Sequence, residues 1–115
     1  MRRMDRFSVS AGQSGDGRFV VSVRGELDLA AAERLWKELE PLIVPEAVVV
    51  LDGTDMTFLD SSGLRVLLQA AKRASTSKAA FRLVAPQPPV QRVLELAGTA
   101  GFLDTRDDVQ SALAG

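Results

Sequence analysis

A chain of 115 residues suffices for one folded domain and leaves little room for two, and at this size folding buries about two thirds of the surface that an extended chain exposes. Its 14 basic and 15 acidic residues provide no cationic excess to neutralise phosphates, which disfavours nucleic-acid binding. The absence of Cys and His removes disulfides, thiolate zinc sites, cysteine nucleophiles, Ser-His-Asp triads and phosphohistidine chemistry.

The first six residues, Met1-Arg2-Arg3-Met4-Asp5-Arg6, are basic, but no apolar stretch follows them, so they do not read as a secretory signal. The longest strongly apolar run, Ala47-Val48-Val49-Val50-Leu51, is far too short to span a bilayer. A cytoplasmic protein without a membrane partner is therefore expected.

Phe7, Val9 and Ala11 alternate with Ser8 and Ser10, and Phe19, Val21 and Val23 alternate with polar residues. These are two strands, joined into an antiparallel hairpin by the turn Gly12-Gln13-Ser14-Gly15-Asp16-Gly17. Gly25 is expected to end the second strand. Asp28 can cap a helix whose apolar stripe is Ala32, Leu35, Trp36 and Leu39; Trp36 is either a partner contact or the edge of the core, and its place on the stripe favours the core. Pro41 should stop that helix near Glu40.

The Val-rich run 47–51 reads as a strand covered on both faces. Residues 52–60 are expected to form a loop. Leu64, Leu67, Leu68 and Ala71 give a second helical stripe, with Lys72 and Arg73 expected near its end, where the helix dipole favours cations. The charged outer face of this helix (Arg65, Gln69, Lys72, Arg73) reads as solvated surface.

Phe81, Leu83 and Ala85 form a further strand, and strand–helix–strand in this order implies a parallel pair. After Pro86, Pro88 and Pro89, a third helix carries Val90, Val93, Leu94 and Ala97, with Gly98 as its stop. Phe102-Leu103 is a short apolar link, and Thr105 is expected to cap a last helix bearing Val109, Ala112 and Leu113. No repeat or linker divides the chain. The expected fold class is α/β: one domain over residues 1–115, with a mixed four- to five-stranded sheet and about four helices.

The chemically informative segment leaves the carboxyl end of the central strand and enters the second helix, the edge where open α/β sheets gather ligands and reactive groups. Asp60-Ser61-Ser62-Gly63 lies at that helix start. Ser61 or Asp60 is the expected N-cap, and spacing alone implies capping and no more. Asp52-Gly53-Thr54 is similar to the start of a haloacid-dehalogenase phosphatase site, but Val50 stands where the nucleophilic Asp belongs. A receiver-type phosphoaspartate lacks its acidic pair and its Lys. No Gly-x-x-x-x-Gly-Lys-Ser/Thr loop cradles a phosphate. Asp52, Asp55 and Asp60 are hard-cation donors in type, but their placement fits turns and caps better, so neither metal nor cofactor is expected.

Asp60-Ser61-Ser62-Gly63-Leu64, preceded by Val48-Val49-Val50-Leu51-Asp52 and Phe58, resembles the STAS domain of anti-sigma factor antagonists. So do Gly25-Glu26-Leu27-Asp28 before an Ala-rich helix, and Pro89-Val90-Gln91-Arg92-Val93-Leu94-Glu95-Leu96-Ala97-Gly98 before Phe102-Leu103. The resemblance covers nearly the whole chain and implies a STAS-like single domain that is a switch and not an enzyme. It implies that an anti-sigma factor serine kinase phosphorylates Ser61 and that a serine phosphatase reverses the modification. The bare form would bind the kinase and release a sigma factor. Glu26, Asp28, Asp60, Ser61, Ser62 and Gly63 would form the partner surface, with Gly63 admitting a partner backbone.

A helix start accommodates an anion, so a phosphate of about −1.5 to −2 charges should spare the fold and repel the partner beside Asp60 and Asp28. The alternative within the same fold is a STAS-type scaffold or regulatory subunit of a transporter or signalling assembly, without phosphorylation. A small nucleotide-binding or hydrolytic protein is the third possibility, opposed by the missing His, Cys and phosphate loop.

Overall fold

The computed structural model describes residues 7–99 and 101–114. Five strands form one sheet in the order β1-β2-β3-β4-β5. They are β1 (Phe7–Gln13), β2 (Arg18–Leu27), β3 (Val48–Leu59), β4 (Ala80–Val84) and β5 (Asp104–Thr105). The β1–β2 hairpin is antiparallel and every other neighbouring pair is parallel, so the expected mixed α/β sheet is present.

Four helices accompany the sheet among the described residues: α1 (Leu29–Leu39), α2 (Ser61–Ser77), α3 (Pro88–Leu96) and α4 (Val109–Leu113). Strand alternation divides the buried residues into two sets. Val21 and Val23 of β2, Val49 and Leu51 of β3, and Phe81 and Leu83 of β4 share one core with α1, α2 and the buried side of α3. Val50 and Val84 point the other way and meet Ala112 of α4. The run 47–51 is thus covered on both faces, as its composition predicts. Trp36 is half-buried against the larger core.

Several local expectations are corrected. The first two concern β2 and β3: β2 does not end at Gly25, and residues 52–59 are strand, not loop. Between Ser22 and Arg24, and again between Gly25 and Glu26, β3 inserts one extra residue against β2. These two bulges explain why the segment does not look like a strand in sequence: they break the period-2 pattern while the ladder continues to Leu27 and Leu59.

Third, α2 runs on to Ser77 and closes at Lys78 in the left-handed region (φ 60°), so Lys72 and Arg73 lie before its last turn. Fourth, Thr105 belongs to β5, and Asp108 caps α4 by accepting from Ser111 N at 2.8 Å. Thr105 is drawn into the sheet because the next residue, Arg106, donates its N–H to Leu83 O at 2.8 Å. Gly12 and Gln13 also belong to β1 and not to the turn, because they pair with Val20 and Phe19, and β4 ends at Val84, one residue before Ala85. The helix stops are as expected: Pro41 lies in a 3-10 turn that follows α1, and Gly98 takes φ 69° after α3.

Candidate partner-docking site

Parallel pairing carries β2 and β3 to the same edge, where Glu26 lies opposite Phe58 and Leu27 opposite Leu59. Each strand then enters a helix through an aspartate. Asp28 Oδ1 accepts from Ala31 N at 3.0 Å, and Asp60 Oδ1 accepts from Gly63 N at 3.0 Å. Both caps are extended in backbone and half-buried, the geometry in which a carboxylate satisfies a first-turn donor. Asp60 N donates to Leu27 O at 3.3 Å, which ties one helix start to the strand end beside the other.

The cap of α2 is therefore Asp60, and Ser61 occupies the first helical position. With the aspartate satisfying Gly63 N, the Ser61 hydroxyl is left without a capping task. It is exposed and forms no hydrogen bond among the described residues. Ser62 is half-buried and likewise unbonded through its hydroxyl. An exposed alcohol beside free first-turn N–H groups can be approached by another protein, and can carry an anion in the positive end of the helix dipole.

Gly63 has a different role from the one expected of it. It is buried, and a Cβ at this position would lie 2.5 Å from Leu27 O, 2.7 Å from Leu27 Cγ and 2.8 Å from Leu59 Cδ1. The backbone that approaches it closely is the chain's own β2, so Gly63 is a packing residue. It sets how near α2 can sit to the strand ends, and so where Ser61 emerges.

Glu26, Asp28, Asp60, Ser61 and Ser62 thus gather at one sheet edge. Glu26 is half-buried and already engaged in an interaction of its own. Sequence reasoning missed two apolar neighbours of this edge. Leu29, the first residue of α1, is 74% exposed, and Phe58, beside Glu26 in the ladder, is 46% exposed. Leu29 lies on the helical stripe of Ala32, Trp36 and Leu39, but its position at the helix start carries it beyond the buried stretch. Phe58 follows the second bulge, and the signal for its exposure was Leu59: adjacent strand residues cannot both face the core.

The sequence model of the STAS domain family matches residues 11–112. The chain belongs to the STAS domain family. BtrV of Bordetella bronchiseptica, provisionally named an anti-sigma factor antagonist, is 30% identical over 100 residues, covering 86% of each protein. The crystal structure of an anti-sigma factor antagonist from Mycobacterium paratuberculosis matches with a TM-score of 0.80 and 26% identity, covering 93% of this chain and 91% of that one. The anti-sigma factor antagonist SpoIIAA shares the fold. Its unphosphorylated form gives a TM-score of 0.74 at 19% identity, over 90% of this chain and 92% of that one. Its phosphorylated form gives 0.69 at 18%, over 90% and 96%. This STAS domain has no helix, among its described residues, long and apolar enough to cross a membrane.

Proposed function

We propose that this STAS domain is an anti-sigma factor antagonist whose bare form binds an anti-sigma factor with serine kinase activity, releasing a sigma factor, and whose docking is switched off by phosphorylation of Ser61. The observation that carries this reading is the Ser61 hydroxyl: exposed, unbonded among the described residues, and relieved of capping by Asp60. The names of the relatives, anti-sigma factor antagonists, support the class of partner.

The chain is the substrate in this reaction and not the enzyme. Ser61 Oγ attacks the γ-phosphorus of ATP held by the kinase, ADP leaves, and the hydroxyl proton passes to a base of the kinase. The product adds about −1.5 to −2 charges beside Asp60 and near Asp28, at an edge where Leu29 and Phe58 offer apolar area to a partner. Phosphate at a helix start agrees in sign with the dipole, so the domain stays folded while docking suffers from repulsion and bulk. The occurrence of SpoIIAA in both phosphorylated and unphosphorylated form supports the tolerance of this fold for such a group. A serine phosphatase then resets the switch in the cytoplasm.

Incubation with the cognate anti-sigma factor and ATP tests the assignment by mass mapping. A single phosphate on Ser61, lost in Ser61→Ala, is the expected result. Phosphate on another residue, or none, contradicts it.

A further inference from the structure

The outer face of α2 does not end at Ser61. Positions 61, 65, 68, 72 and 75 follow a 4-3-4-3 spacing and form one stripe along the helix. Its far half borders a groove of about 540 Å³, whose other wall is the turn carrying Phe102. Leu68 and Ala71, both half-buried, and Phe102, 75% exposed, line the groove with apolar surface. Lys72 and Ser75 complete its rim.

The charge along α2 and its cap is one-sided. Residues 61–79 hold Arg65, Lys72, Arg73 and Lys78 and no carboxylate, in a chain whose net charge is −1. Arg73 is paired with Glu40 at 3.2 Å, whereas Arg65, Lys72 and Lys78 make no ion pair among the described residues. An apolar groove with Lys72 on its rim, on a helix whose charged side chains are all cationic, complements an amphipathic segment that presents one large apolar side chain beside a carboxylate.

We infer that this groove is a second docking site for the anti-sigma factor, taking such an acidic amphipathic segment, and that its contribution to binding does not depend on the phosphorylation of Ser61. The inference rests on the reading of the chain as an antagonist. The two halves of the footprint are continuous on one helix, but 11 residues at 1.5 Å each set Lys72 about 16 Å along the axis from Ser61. That is about twice the screening length at physiological salt, so charge added at Ser61 is felt at its own end and not in the groove. One half of the surface is switched, and the other holds the regulator near in both states.

The test measures binding of the cognate anti-sigma factor by calorimetry for the bare protein, and by NMR titration for the weaker Ser61→Glu complex. Phe102→Ala and Lys72→Glu are expected to weaken each by the same factor, roughly five- to thirtyfold. Lys37→Glu makes the same charge change on α1 and is expected to have no effect. Native affinity in both groove variants overturns the inference. So does a loss in Lys37→Glu equal to that in Lys72→Glu, which would indicate net charge and not a site. If Phe102→Ala abolishes self-association and leaves anti-sigma affinity intact, the groove holds a second copy and the inference falls. If Ser61→Glu binds like the native protein while the groove variants weaken, the phosphorylation switch fails and the groove stands.

Discussion

At the carboxyl ends of β2 and β3, Asp28 and Asp60 each bond a first-turn amide, and the Ser61 hydroxyl beside them has no bond among the described residues. At the β4–β5 corner the charged groups bond one another and the chain. Arg82, only 6% exposed, donates to Ala112 O at 2.6 Å and lies 3.7 Å from Asp104 Oδ2, an ion-pair separation too long for a hydrogen bond. Arg106 grips Asp104 with two bonds, at 2.7 and 3.2 Å, and reaches Ser111 O at 3.3 Å. The first corner holds its backbone with carboxylates and leaves an exposed hydroxyl outside. The second uses its polar groups to fasten α4, only five residues long, over Val50 and Val84. Polar residues that resemble each other in sequence therefore do different work: one set presents a hydroxyl and the other closes the fold.

Substitutions at the two corners should separate accordingly. The largest effect is expected from Gly63→Val, whose Cβ would meet a backbone carbonyl that cannot yield. A loss of about 3 kcal/mol is expected in a denaturant titration; native stability would show that α2 is not held against Leu27. Arg82→Ala follows, at about 2 kcal/mol, because it strands the Ala112 carbonyl and the cover of the second core. Its near-neutrality would mean that α4 stays in place without this fastening. Asp60→Ala should cost about 1 kcal/mol, the usual value of a lost helix cap, whereas Ser61→Ala should melt with the native protein, since its hydroxyl carries no bond among the described residues. Equal losses in the two variants would erase the distinction between cap and presented hydroxyl.

The smallest expected effect is in acid. The hydrogen bonds from Arg106 hold the Asp104 carboxyl below its ordinary value; attraction to Arg106 and Arg82 adds to this, against the opposing effect of partial burial. The native state then binds fewer protons than the unfolded chain. This contribution to stability is present above the ordinary value of 3.8 and is lost as the pH falls below it and through the lowered native value. Asp104→Asn should therefore flatten the stability profile slightly in acid, and an unchanged profile would count against the pairing.

The elements that create this sheet edge were legible because each has a local cause: Asp28 ahead of its stripe, Asp60-Ser61 ahead of the second, Val-rich 47–51 between them. The expected hydroxyl also emerges where the sequence put it, although one position past the cap. Long-range causes were hidden. Residues 53–59 remain in the ladder because β2 extends beside them, beyond the end of the pairing with β4. Gly63 matters because of Leu27, 36 positions earlier, and Arg82 is buried because α4 returns over it. Leu29 and Phe58 carry apolar signals that mark a core residue and an exposed one equally well, until the sheet edge decides.

The central claim is that charge added to one exposed hydroxyl controls docking. Its most direct test is the affinity of the anti-sigma factor for the bare protein and for the protein phosphorylated on Ser61, at one salt concentration. Like charges brought together at an interface cost several kcal/mol, so the phosphorylated form should bind at least about a hundredfold more weakly with an unchanged fold. Equal affinities for the two forms would contradict the account.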